Sequence, residues 1–336
     1  MTAQGFTHRR TPGLARTATP GRRRRRRNWS VDRVTFFLAF LGLPLSVYLI
    51  FVVSPFIQAF YYSLTDWTGF NPQMDYVGLS NYTRAFTDNI FLKSIRNSVE
   101  LAIVVPFVTI ALALTLATLI TVGGSSHGQI RGLSAAGFYR VISFFPYTIP
   151  AIIIGIMWSQ VFDPSNGLVN GILTAVGFKQ FDSFPWLGNI DTAMPVSMFV
   201  IIWGLVGFYM VLFIAAIKGI PSEIYESARI DGAGRFRTAL TITLPLIREN
   251  VQTAYIYLGI AALDAFVYMQ ALNSNGGPNN STLVMSQYLY RTAFTKGQWG
   301  LACAMGVVLA AVTMSFAGLV FLVNRLTGGK DSVTLA

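Results

Sequence analysis

The chain has 336 residues, of which 53% are hydrophobic and only 12% are charged, and its formal net charge is +11. A soluble globular domain carries about 25% charged residues, so this composition argues against a soluble enzyme and against disordered or collagen-like chains. One cysteine excludes an intramolecular disulfide framework, and two histidines are too few for a metal cluster. The composition therefore predicts a membrane protein with several spans.

The chain begins with a basic segment, residues 1–33, in which six arginines are consecutive at Arg22–Arg27. Such a run could bind nucleic acid, but it ends only seven residues before the first apolar stretch. Basic residues beside a span are attracted to anionic lipid by about 1 kcal/mol each. We interpret the segment as a disordered cytoplasmic tail on membrane lipid, with no nucleic-acid partner and no cleaved signal peptide.

Six apolar stretches are long enough to cross a bilayer, which takes about 20 mostly apolar residues. Backbone polar groups must pair internally in lipid, which favours helices. Prolines within the stretches predict kinks near Pro106 and Pro150. The predicted fold class is therefore an all-α integral membrane protein with six transmembrane helices, at about residues 34–62, 98–122, 140–162, 193–217, 250–271 and 301–325, followed by a short tail, 326–336.

The basic residues predict the orientation of these spans. If the N-terminus is inside, the inner segments hold 19 of the 25 lysines and arginines. The positive-inside rule then places both termini in the cytoplasm. We therefore predict a multi-pass protein of a bacterial cell membrane.

The segment between the fourth and fifth spans, residues 218–249, carries the most informative pattern. Pro221 suits the first turn of a helix, where its missing N–H costs nothing. Gly232 suits a helix stop or a left-handed turn. A second short helix is predicted at about 235–244. The segment is thus expected to be a helix, a glycine turn and another helix at the cytoplasmic surface.

Within this segment the spacing resembles the EAA motif of ABC-importer permeases, which runs Glu-Ala-Ala, three positions, Gly, nine positions and Ile-x-Leu-Pro. Here Glu226-Ser227-Ala228 is followed after three residues by Gly232, and after nine more by Ile242-Thr243-Leu244-Pro245. Every spacing matches, and only Ser227 departs from the pattern. The segments 77–82 and 276–282 resemble the maltose-type, sugar-importing branch in particular.

The resemblance implies a type I ABC importer permease fold and a role as the permease subunit of a binding-protein-dependent sugar importer. Its implied partners are a cytoplasmic ABC ATPase, a second six-span permease, an extracellular solute-binding protein and the sugar itself. In the family the loop helix docks in a groove of the ATPase. The implied coupling residues are Ile224 and Ala228 in that groove, Arg229 and Asp231 at its rim, and Glu226, Ser227, Gly232 and Pro245.

The chain has no phosphate-binding loop, no nucleophile elbow and no metalloprotease motif. We therefore predict no catalytic residue, metal or cofactor in this chain. The resemblance implies that the partner ATPase binds Mg-ATP and hydrolyses it.

Asp264 is the only charge near the middle of a predicted span. A charge in lipid is costly and usually faces a polar interior, although an interhelical hydrogen bond would explain it equally well. Sugars are bound by polar groups and aromatic faces, but aromatic residues in spans more often pack or anchor at the interface. The candidates for the substrate path are Trp203, Tyr209, Tyr257, Asp264, Tyr268 and Gln270.

Three alternatives stay open at this stage. The solute could be an amino acid, a polyamine or glycerol phosphate, although no span carries a lysine or arginine near its middle. A secondary transporter would need coupling charges in several spans and internal repeats, neither of which is evident. A membrane-embedded enzyme would need a cluster of catalytic side chains, and none is found.

Overall fold

The computed structural model describes residues 35–71, 73–121 and 136–326, apart from the side chains of Ala136 and Arg235. The predictions for the basic segment 1–33 and for nearly all of the tail 326–336 lie outside these residues. The described part is helical, and its strand-like pairing is limited to an isolated antiparallel bridge between Thr65 and Tyr76.

The helices follow one another along the chain, with connections that range from a single residue to segments as long as 176–192. Four of them carry a wider π turn or a tighter 3₁₀ turn. Helix α1 contains the π turns Leu38–Gly42 and Leu49–Val53, and α4 continues as the 3₁₀ turn Phe145–Thr148. Helix α9 contains the π turn Ala239–Thr243, and α12 continues as the π turn Arg291–Thr295. The helices are α1 Thr35–Tyr62, α2 Ser80–Thr87, α3 Asn89–Thr121, α4 Ala136–Phe144, α5 Ala151–Val161, α6 Leu168–Ala175, α7 Ala193–Lys218, α8 Ser222–Ile230, α9 at 235–246, α10 Arg248–Leu263, α11 Phe266–Leu272, α12 Met285–Tyr290 and α13 Trp299–Leu326.

By length and composition, four of these helices can cross a membrane: α1, α3, α7 and α13. Two further candidates are bent pairs, α4 with α5 at 97° and α10 with α11 at 48°. If each pair is one span, the described residues contain six, the number predicted.

The bend expected at Pro150 is present between α4 and α5. Ile149 has the extended backbone, φ −85° and ψ 133°, that a following proline imposes, and this ends the preceding turn. At Pro106, by contrast, α3 continues without a break. The second bend, at Asp264 and Ala265, carries no proline and was not predicted.

The chain divides into two units, one ending at Pro55 and one beginning at Phe56. In the first unit, α1 exposes its apolar side chains along its length. In the second, α3 packs against both α7 and α10, while α13 packs against α10 and α11 against α5. Buried side chains from α3, α7 and α10 form the main apolar core.

Hydrogen bonds between distant segments show which helix ends lie together. Arg248, at the start of α10, donates from Nη2 to the carbonyl of Asn324 near the end of α13, at 3.1 Å. At the other end, the Gly300 N–H donates to the carbonyl of Trp67 at 2.8 Å. We call the end that carries residues 219–247 the loop end. The opposite end carries residues 63–88, 162–192 and 273–298.

Gly207 in α7 marks the closest approach between two spans. A methyl group built on Gly207 would overlap the backbone carbonyl of Ser143 in α4. Small residues at helix crossings allow backbones in a membrane to approach in this way. Since the neighbouring atoms are backbone, no rotamer change can make room.

We expect Gly207→Ala to destabilise the bundle by about 1–3 kcal/mol through this overlap. The measurement is the temperature at which the detergent-solubilised protein aggregates. Gly318→Ala in α13 is the matched control, because nothing lies within 4 Å of the added methyl. Equal transition temperatures for the two variants would contradict the crossing described here.

Candidate coupling loop and solute path

Helix α8 lies against its own chain by one face only. Tyr225 and Ala228, three positions apart and so on the same face, are 4% and 6% exposed. Glu226, Ser227 and Arg229 are all exposed. The helix therefore has an inner face that holds it in place and an outer face that is free to meet another molecule.

Tyr225 fixes the inner face. Its hydroxyl hydrogen-bonds the hydroxyl of Thr243 at 3.2 Å, which joins α8 to α9. Its ring belongs to the apolar core built by α3, α7 and α10, beside side chains such as Phe213 and Ile247. Burial raises the pKa of Tyr225 although the hydrogen bond to Thr243 opposes this, so its hydroxyl stays protonated at neutral pH.

Gly232 ends α8 in a left-handed turn, with φ +74°. The Gly232 N–H donates to the carbonyl of Arg229, and the Ala233 N–H donates to the carbonyl of Ala228 at 2.9 Å. These two bonds form a Schellman motif, which satisfies the last free carbonyls of the helix. No atom lies within 4 Å of a methyl group added at Gly232, so glycine is needed here for its backbone alone.

The eight predicted coupling residues therefore occupy different positions. Ala228 is buried within this chain and offers no surface to a partner, whereas Ile224 and Asp231 are exposed with the rest of the outer face. Pro245 is exposed as well, but it lies on α9. The sequence analysis missed Ile230, which is 86% exposed on α8, and the inner pair Tyr225 and Thr243. The Thr243 position falls inside the Ile-x-Leu-Pro element, but nothing in the spacing indicates its partner.

We expect Tyr225→Phe to cost about 0.5–1.5 kcal/mol, the usual contribution of one hydrogen bond. Thr243→Val should cost a similar amount, and the double variant little more than either, since both changes remove the same bond. Thermal aggregation in detergent gives the three values. Tyr76→Phe is the control because Tyr76 is exposed. Fully additive losses would show that the two hydroxyls do not interact.

Asp264 lies at the break between α10 and α11, where it is the C-cap residue of α10. Its side chain is exposed, with no hydrogen bond to any residue that the structure describes. Tyr257, seven positions earlier on the same face, is also exposed. This face of the fifth span thus carries two polar side chains that the described parts of the chain leave uncovered.

Two predicted path tyrosines lie near a residue that the sequence analysis missed, and a third lies near one of them. Tyr147, in the turn before Pro150, lies within electrostatic range of Tyr209 and Tyr268, and Tyr257 lies within range of Tyr209. The Tyr147 ring stacks on Phe208 with centroids 4.5 Å apart. The two broken spans therefore place tyrosine hydroxyls near one another.

The other two candidates have structural contacts instead. The Trp203 ring meets Trp158 edge-on at 5.3 Å, within an aromatic cluster between α5 and α7. The Gln270 side-chain carbonyl accepts a hydrogen bond from Gln287 at 3.0 Å. Gln287 is fully buried and also donates to the carbonyl of Asn273. These contacts explain both residues without a solute.

No group of three or more histidine, cysteine, aspartate or glutamate side chains that could hold a metal occurs among the described residues. The chemistry available at the two sites is therefore binding and packing: exposed polar and apolar side chains on α8, and tyrosine hydroxyls with one carboxylate at the broken spans.

Comparison with known families adds a sequence relationship to this geometry. Residues 120–328 match the family described as the inner membrane component of binding-protein-dependent transport systems. The matched region contains α8, the Gly232 turn and both broken spans.

Individual relatives cover most of the chain. A diacetylchitobiose uptake system permease protein of Streptomyces coelicolor is 63% identical over 94% of this chain and 89% of its own. A trehalose/maltose transport system permease protein of Thermococcus litoralis is 30% identical over 84% of this chain and 92% of its own.

Among solved structures, a chain of a bacterial alginate ABC transporter, crystallised with an alginate pentasaccharide-bound periplasmic protein, superposes with a TM-score of 0.75. It is 24% identical, and the match covers 88% of this chain and 96% of that one. This likeness confirms the predicted fold.

Proposed function

Because the chain belongs to the family of binding-protein-dependent transport system inner membrane components, we propose that it forms one half of the solute path of an ATP-driven carbohydrate importer. The observation that carries the choice of solute is the 63% identity to a diacetylchitobiose uptake permease over nearly the whole chain. Diacetylchitobiose is therefore the first sugar to test. The relative named for trehalose and maltose supports a carbohydrate more generally.

The loop end faces the cytoplasm in this proposal. Nineteen of the 25 lysines and arginines belong to the segments on that side, including residues 218–249. The positive-inside rule then places both termini in the cytoplasm and the opposite end outside.

The outer face of α8 is the contact for a separate ABC ATPase, which binds Mg-ATP. Glu226 and Arg229 can form charged contacts there, and the exposed Ile230 needs an apolar cover. Tyr225 joins α8 to Thr243 in α9. A displacement of α8 by the ATPase would therefore move α9, which leads into the fifth span. No phosphate-binding loop is present in the sequence, which supports a second chain as the site of hydrolysis.

A second permease completes the path. The exposed face of α10 carries Tyr257 and Asp264, and a carboxylate against lipid is costly. Apolar side chains also line two open grooves of about 950 and 640 Å³ on α3, α10 and their neighbours. A partner of similar size would enclose the polar face and cover apolar surface at once. The solute-binding protein then delivers the sugar at the opposite end.

The first experiment is to purify the chain from its native membranes in mild detergent, together with Gly232→Ala and Gly234→Ala variants. We expect an ATPase and a second six-span permease to accompany the wild type. Alanine at Gly232 strains the left-handed turn by about 1–2 kcal/mol, so this variant should lose much of the ATPase. Gly234→Ala is the control because it needs no positive φ and meets no atom within 4 Å.

Either of two results would refute the importer function. One is a wild-type chain that comes out alone, without an ATPase. The other is ATP hydrolysis by the purified complex that the sugar-loaded binding protein does not stimulate. If both glycine variants retain the ATPase fully, the docking face has been assigned to the wrong segment.

We expect Asp264→Asn to lower sugar uptake about fivefold, because a charged hydrogen bond to a sugar hydroxyl becomes a neutral one. Uptake of radiolabelled diacetylchitobiose into cells measures this. Asp191→Asn, an exposed change at the opposite end, should leave uptake unchanged. Normal uptake by Asp264→Asn with a lower aggregation temperature would show that Asp264 is structural.

A further inference from the structure

Five aromatic rings from three separate segments form a row at the opposite end of the bundle. We call them the aromatic ladder. Neighbouring centroids are 6.3, 4.7, 4.7 and 5.2 Å apart, within the usual 4.5–7 Å range of aromatic contact. In order, the rings are Phe70, Trp299, Phe294, Tyr290 and Phe266.

The two ends of the ladder lie in different parts of the bundle, one in a surface loop and one inside a predicted span. Phe70 belongs to the loop after α1 and is 88% exposed. Phe266 is the first residue of α11, two positions after Asp264. Since α11 continues for seven residues, Phe266 lies about 10 Å below the end of its helix. An interfacial aromatic belt would stay at one level, whereas this row leads from the surface loop to the break in the fifth span.

The surface loop is fastened to the ladder by backbone contacts. Gly69, with φ +91°, lies directly against the indole of Trp299, where a methyl group would overlap the ring. The Asn81 side chain donates hydrogen bonds to the carbonyls of Ser63 and Thr65 at 2.9 and 2.7 Å. Phe70 is therefore held at the top of the ladder by its neighbours, although its own ring is open.

The rings in the middle of the ladder are open as well. Phe294 is 61% exposed and Tyr290 is 41% exposed, so the described residues of this chain do not cover them. Aromatic faces bind the apolar C–H faces of sugar rings, and the tyrosine hydroxyl adds a hydrogen bond. Because each ring touches the next, a sugar leaving one face meets the following one before losing contact.

Building on the proposed function, we propose that the aromatic ladder guides the sugar from the outer surface to Asp264 by stacking successive rings on its C–H faces. The ladder is thus a second contact surface for the solute, separate from the tyrosines around Tyr147. Its chemistry selects solutes with apolar ring faces, such as pyranose sugars, over linear polar solutes.

The test replaces Phe294 in the complete complex, reconstituted into proteoliposomes with its binding protein at saturating concentration. Phe294→Leu keeps an apolar side chain but removes the aromatic face, and Phe294→Trp keeps a face. We expect Phe294→Leu to lower the uptake of radiolabelled diacetylchitobiose about 2- to 10-fold, the range for one aromatic contact, and Phe294→Trp to restore it. Stimulation of ATP hydrolysis by the loaded binding protein should stay normal in both.

Phe321→Leu is the matched control, because Phe321 is similarly exposed on α13 and lies outside both the ladder and the two apolar grooves. Wild-type uptake by Phe294→Leu, or equal losses in the leucine and tryptophan variants, would overturn the proposal. The proposal would also fail if Phe294→Leu needed more binding protein for half-maximal stimulation of ATP hydrolysis while its maximal uptake stayed unchanged. That result would show that the rings contact the binding protein. A wild-type complex that hydrolyses ATP but takes up no sugar would refute the proposed function, and this inference with it.

Discussion

The arrangement of this protein depends on one constraint, the need to pair every backbone polar group inside a bilayer. The constraint explains why almost all of the described chain within the spans is helical. A helix can break at membrane depth only where protein or a polar cavity covers the freed groups. Both breaks, at Pro150 and at Asp264, lie beside polar side chains of the proposed path. The two breaks in the spans therefore lie at the same places as the candidate solute contacts.

The sequence predicted the number of spans, the bend at Pro150 and the short helix with its glycine turn. These features depend on composition, proline and glycine, whose effects act locally. The bend at Asp264 did not follow, because neighbouring helices decide whether a residue without proline breaks a span.

Side-chain partnerships across the chain were beyond prediction. Tyr225 and Thr243 are 18 positions apart, and Gln270 and Gln287 are 17 apart, so no helical or strand periodicity connects either pair. The same holds for the aromatic ladder, whose rings come from residues near 70, 266 and 290–299. A sequence pattern can indicate which residue types a site needs. Only the packing shows that Trp203 and Gln270 are already engaged while Tyr147 is not buried.

The division of α8 into two faces also separates two constraints on its sequence, packing within this chain and contact with another molecule. Tyr225, Ala228 and Gly232 are fixed by this chain's own packing and backbone, whatever molecule covers the outer face. The outer positions, including Glu226 and Ile230, are exposed and are not constrained by packing within this chain. If the outer face docks an ATPase as proposed, a few surface substitutions can change that partner without altering the stability of the permease itself. Partner exchange between related importers would then be a short evolutionary step.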